Sequence, residues 1–157
     1  MDRSPELAGQ SSRTADASKM FTVSQAAKAL VLVRRIVQDI VDEYAHLLEL
    51  QEMTEGLQRH GSIESLEGMQ ERMAASVARL HACTTELDEI GVELRDYGRG
   101  IVDFPCFAGG REVRLCWRLG EPAVACWHEV GEGLAHRKPI TALEAYQPVI
   151  EVNVNTR

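Results

Sequence analysis

The residues able to do chemistry crowd into one stretch, 98–129, which holds both tryptophans, three of the four cysteines and the dipeptide His128-Glu129. Asp103, Glu121, His128 and Glu129 carry the oxygen and nitrogen donors that a divalent metal takes, so they form a candidate polar site. Asp103, His128 and Glu129 are its candidate metal ligands. No cofactor is predicted outright, and a divalent metal is left open. The run around His128 is not a zinc-protease helix motif, because position 132 is Glu and the pattern is that of strand or loop. Neighbouring strand residues also point to opposite faces, so His128 and Glu129 need not meet one ligand. Cys106, Cys116 and Cys126 with His128 offer a three-cysteine, one-histidine zinc set. Their spacings of ten, ten and two differ from the paired-ligand spacing of structural zinc. Small apolar roles on adjacent strands explain Cys116 and Cys126 more simply. A Cys116–His128 nucleophilic pair would need an orienting group and an oxyanion donor, and neither is readable.

A second set is basic. Arg114 and Arg118 share a strand face, Arg111 opens that strand, and Arg137 follows a glycine-containing loop. Together they could bind an anion or a partner through their guanidinium forks. The plainer reading pairs them with Glu112, Glu121 or Asp103 on a solvated strand face. Trp117 and Trp127 read as packing anchors between a sheet and helices.

The elements that must position these groups are legible in the hydrophobic pattern. Val113, Leu115, Trp117 and Leu119 alternate with Glu112, Arg114, Cys116 and Arg118, as in a half-buried strand. Gly120-Glu121-Pro122 turns the chain into a second strand over 123–129. Upstream, Val92 and Leu94 suggest a short strand, and Ile101–Phe104 a return strand stopped by Pro105. Gly109-Gly110 makes the next bend. This predicts a small antiparallel sheet of three or four strands over 92–157, with one face on helices because so small a sheet is marginal alone. Thr141–Tyr146 reads as one or two helical turns, and Ile150, Val152 and Val154 suggest a last edge strand.

Before the sheet, the period changes to that of a helix. Thr22 and Gln25 have capping-box spacing, with Phe21 and Ala26 as a weak staple. Ala26, Leu30, Val33, Val37, Ile40, Tyr44 and Leu47 alternate spacings of four and three, as in coiled-coil packing. Val31, Leu32, Ile36, Val41 and Leu48 widen that stripe beyond what one helical neighbour needs. The helix should end near Arg59, with His60-Gly61 as its stop. Ser62 caps a second helix, whose face runs from Leu66 through Met69, Met73, Val77, Leu80, Thr84 and Leu87 to Ile90, and which Gly91 ends. The fold class expected is therefore α+β: a long antiparallel helical hairpin over 21–91, then the sheet, the two forming one domain. Residues 1–20 lack periodicity and read as a disordered tail.

Net charge is -7, and no block is strongly basic. That argues against nucleic acid as a partner, since backbone binding draws on phosphate neutralisation. No apolar run can span a bilayer, and the N-terminus has no secretory pattern. With no Cys-x-x-Cys, the four cysteines read as free thiols in a cytoplasmic chain.

The runs Gly-Ile-Val-Asp-Phe-Pro at 100–105, Arg-x-Val-x-Leu-Cys-Trp-Arg-Leu-Gly-Glu at 111–121, Trp-His-Glu at 127–129 and Gly-Leu-Ala-His-Arg-Lys-Pro at 133–139 resemble DUF2203, a bacterial family of uncharacterised proteins. The resemblance runs from Phe21 to about Pro139. It implies a helical hairpin followed by a strand-rich part, and it brings no activity. Cys126 and His136 depart from the family pattern, which has an apolar residue and a small residue there. Two functions fit. One is a protein-interaction or scaffold module that self-associates through helix 1 or binds another protein. The other is a small metal- or anion-dependent enzyme or ligand-binding protein using the polar end of the sheet. The sequence specifies no reacting centre, so whether the chain is an enzyme is open.

Overall fold

The computed structural model describes residues 19–144. Helix α1 spans Val23–His60 and helix α2 spans Ile63–Ile90, and they pack as a hairpin. The capping box forms: the Gln25 N–H donates to Thr22 Oγ1 at 3.1 Å, and the Thr22 N–H donates to Gln25 Oε1 at 3.0 Å. Ser62 caps α2 by accepting from the Ser65 N–H at 3.1 Å. At the other end Gly91 adopts φ 92°, the left-handed conformation that closes a helix without a Cβ penalty. Between the helices Glu43 accepts from Ser76 Oγ at 2.5 Å and from Arg79 Nη2 at 2.9 Å. That arrangement satisfies the buried Ser76 hydroxyl.

Five strands follow as an antiparallel meander in chain order: β1 Glu93–Asp96, β2 Ile101–Ala108, β3 Arg111–Arg118, β4 Cys126–Glu129 and β5 Lys138–Pro139. A single 3-10 turn, Leu134–His136, precedes β5, and the short helix α3, Ile140–Glu144, follows it. The four strands expected from the alternation are present, and the fifth is a two-residue addition. The expected last strand at 150–154 and the tail at 1–18 lie outside the described residues.

Two boundaries differ from the expectation. Pro105 does not stop β2, which continues to Ala108. The Pro105 carbonyl accepts from the Phe21 N–H at 2.7 Å, so this residue's backbone faces away from β3. Its missing N–H therefore removes nothing from the β2–β3 ladder, and β1 has already ended opposite Asp103. The strand expected from Ala123 begins only at Cys126.

One face of the sheet lies on the hairpin. Val102, Phe104, Val113, Leu115, Trp117 and Trp127 join Ala26, Leu30, Val33, Val37 and Ile40 of α1 and Leu87 of α2 in one core. Phe21 meets Phe104 edge-on, with ring centroids 5.3 Å apart. Gly100 is where the sheet comes closest to α1. It has φ 67°, and a Cβ there would lie 2.8 Å from Leu119 Cβ and 2.9 Å from Val37 Cγ1. No other residue fits both constraints.

Candidate metal centre

Strand alternation sends Ile101, Asp103 and Pro105 of β2 to the face opposite the helices. Register then sets their neighbours. Asp103 pairs with Cys116, Cys116 with Cys126, and Arg114 with His128. Cys116 and His128 are thus diagonal neighbours on the same outer face. On an open sheet this face would be wet. Here Gly133 and Leu134 return over it, and Asp103, Cys116 and His128 are all buried, at 1%, 1% and 2% exposure. One ligand atom from each lies within 4.8 Å of the others. A carboxylate, a thiol and an imidazole in one buried cluster are a donor set that can hold a divalent metal.

The hydrogen bonds fix the protons. His128 Nδ1 is 2.8 Å from the Glu129 carbonyl oxygen. A carbonyl only accepts, so Nδ1 carries hydrogen and donates. His128 Nε2 is 3.0 Å from Asp103 Oδ1. The second Asp103 oxygen, Oδ2, is buried without a hydrogen-bond partner. Arg95 Nε approaches it at 3.4 Å as an ion-pair neighbour, without the direction of a hydrogen bond. Burial first, and then the negative charge of Asp103, push the Cys116 thiol up to about 12. The metal-free centre therefore holds a neutral thiol and a carboxylate oxygen without a hydrogen bond.

A cleft of about 120 Å³ opens beside the three donors, lined also by Arg95, Asp96, Arg99, Ile101 and Gly133. Its arginine side is organised by Asp96. One carboxylate oxygen accepts from the Gly98 and Arg99 N–H groups at 2.9 and 2.8 Å, and the other from Arg99 Nε at 3.0 Å. These bonds hold Asp96 below the usual carboxylate range. Larger clefts, of about 430 and 400 Å³, lie along the hairpin and between α1 and residues 122–124, away from the three donors.

Of the residues singled out by sequence, the structure joins Asp103 and His128. Glu129 points to the other face and pairs with Arg111, whose Nε lies 3.0 Å from Glu129 Oε2. That pairing holds the Glu129 carboxyl below its ordinary value. Glu121 sits on the turn after β3, where Arg137 donates to both its oxygens at 2.6 and 2.9 Å. Burial opposes the charge of Arg137, and the Glu121 hydrogen bond together with the surrounding negative groups more than offsets it. Arg114 lies between Glu112, at 2.6 Å, and Glu93, at 3.3 Å. The Arg118 backbone N–H donates to Glu121 Oε1 at 2.7 Å, and its side chain is exposed. The four arginines do not converge on one pocket: Arg111, Arg114 and Arg137 each have a carboxylate of their own. Sequence reasoning weighs Cys116 with His128 but not with Asp103, and it leaves out Arg95 and Arg99. The signal for Cys116 was the two-residue bend Gly109-Gly110, which pairs 108 with 111 and so places 116 opposite 103.

The model of an uncharacterised conserved protein family, DUF2203, matches residues 19–140, which include α1 and α2, all five strands and all three donors. The chain belongs to that family. No curated protein matches it, and no solved structure does. The DUF2203 match thus agrees with the sequence motifs, and the chemistry must come from the site itself. Among the described residues, no helix is long and apolar enough to cross a membrane.

Proposed function

We propose that this DUF2203 protein is a small metal-dependent ligand-binding protein whose centre is Asp103, Cys116 and His128. The observation that carries this reading is the buried convergence of three different donors around an orphaned carboxylate oxygen. Arg95 gives Oδ2 an ion-pair neighbour at 3.4 Å but no hydrogen bond, and a metal bound directly to Oδ2 would satisfy it. The Nδ1–H bond from His128 to the Glu129 carbonyl supports the same reading. Metal-bound histidines use their second nitrogen in this way, fixing ring orientation and tautomer. Thiolate, imidazole and carboxylate suit zinc among the common divalent ions, and three protein ligands leave a fourth position open. Free thiols among the described cysteines fit a reducing compartment, so we place the protein in the cytoplasm.

Metal analysis of untagged protein, followed by cobalt titration, tests this. The expected result is one equivalent of metal and a thiolate-to-cobalt charge-transfer band that is lost in Cys116→Ser. A protein that stays metal-free through a cobalt titration, with no such band, would contradict it.

The alternative is self-association through α1. Its support is Val31, Leu32 and Leu48, exposed at 73%, 52% and 44%. At 3.6 residues per turn Leu32 and Leu48 point about 100° to either side of Val31 and about 160° from each other, so the three build no common stripe. That makes the metal reading the stronger one. A concentration series in light scattering separates the two, since a strict monomer removes the alternative and leaves the metal centre untouched.

A further inference from the structure

The cleft beside the three donors has a charge pattern of its own. A divalent metal held by the Asp103 carboxylate, the Cys116 thiolate and a neutral His128 would make the inner set neutral. Of the two guanidinium groups lining the same cleft, Arg99 is matched by Asp96 at 3.0 Å. Arg95 has Asp103 as its acidic neighbour, at 3.4 Å. Once Asp103 serves a metal, the positive charge of Arg95 is left in excess at the mouth. Both arginines are about half exposed, with side chains 49% and 56% accessible, so their forks can reach an incoming ligand.

Space limits what that ligand can be. The cleft measures about 120 Å³. Ile101 and Leu134 supply apolar wall, while the charged groups gather on the Arg95–Arg99 side. The Asp96 hydrogen bonds to Gly98 and Arg99 hold the loop between β1 and β2 in one shape, so Arg99 is presented by a fixed backbone. We propose that the ligand of this centre is a small oxyanion. One oxygen would take the open metal position, and another would accept from Arg95 and Arg99. Guanidinium forks match the oxygen spacing of carboxylate and phosphate groups, which an isolated ammonium would not do. The inference rests on the metal reading, and it adds the chemical class of what the metal centre receives.

The test uses the full chain loaded with cobalt. Acetate and inorganic phosphate are titrated separately, with chloride as the control, while the cobalt spectrum is followed. An oxyanion that binds the open position changes the metal's visible bands and leaves the thiolate band in place. Arg95→Gln and Arg99→Gln should each weaken that response roughly tenfold, as expected for losing a hydrogen bond to a charged group. The thiolate band reports that the variants are folded and loaded. A response to acetate alone would assign carboxylates, and a response to phosphate alone would assign phosphate; either supports the inference. A cobalt-loaded protein whose spectrum ignores both oxyanions would overturn it and leave the metal reading standing. Equal responses in wild type and both arginine variants would also overturn it. A protein that shows no thiolate band at all would remove the metal reading, and the oxyanion with it.

Discussion

Metal binding at this centre must be driven by pH, and the structure sets how steeply. In the metal-free protein Cys116 is a neutral thiol, pushed up to about 12. Ionising it at pH 7 costs about five pK units, or ~7 kcal/mol, which the metal–sulfur bond has to exceed. Releasing the Cys116 proton makes apparent affinity rise roughly tenfold per pH unit between pH 6 and 7. The sign follows from mass action: the loaded state binds fewer protons, so higher pH favours loading. Zinc titrations against a competing chelator across that interval give the slope. Calorimetry in buffers of different ionisation enthalpy counts the protons directly. An affinity independent of pH would refute the reasoning, since Cys116 would then not be involved.

Other consequences follow from particular contacts. Gly100→Ala should destabilise the fold by roughly 2–4 kcal/mol, from the left-handed φ and the clash with Leu119 and Val37, read as a lower midpoint in urea. Cys116 should be the slowest of the described cysteines to react with iodoacetamide at pH 8, because burial keeps its thiol neutral; faster labelling of Cys116 than of Cys83 by peptide mass spectrometry would contradict this. Glu43, Asp96 and Glu129 all titrate below their ordinary values in the folded chain. Their contribution to stability is therefore present above the unfolded carboxylate range and is lost as pH falls through the folded values. Thermal unfolding should show the melting temperature dropping below about pH 4, and Glu43→Gln should reduce that drop.

The sequence carried the hairpin almost completely. Thr22, Gln25, Ser62 and Gly91 are local signals whose partners lie within four residues, so their geometry needs no tertiary information. The sheet was legible as alternation, and its β2–β3 register was implied by the bend at Gly109-Gly110. The candidate site was only half legible. Asp103 and Cys116 are tied by that register. His128 reaches them across a connection running from 119 to 125, whose length does not determine which residues of β3 and β4 meet. Burial of the outer face was also unreadable, because it depends on Gly133 and Leu134 returning over the sheet. Alternation already separates Glu129 from His128, and the structure turns Glu129 towards Arg111 on the opposite face. Pro105 misled. A proline stops a strand only where its N–H is needed, and beyond the end of β1 it is not.

X-ray absorption on the zinc-loaded full chain tests the central claim most directly, since it reads the ligand atoms themselves. The Asp103–Cys116–His128 centre predicts one sulfur at about 2.3 Å and lighter oxygen or nitrogen neighbours at about 2.0–2.2 Å, with imidazole scattering beyond them. A shell of oxygen and nitrogen alone would place the zinc elsewhere on the protein and contradict the centre proposed.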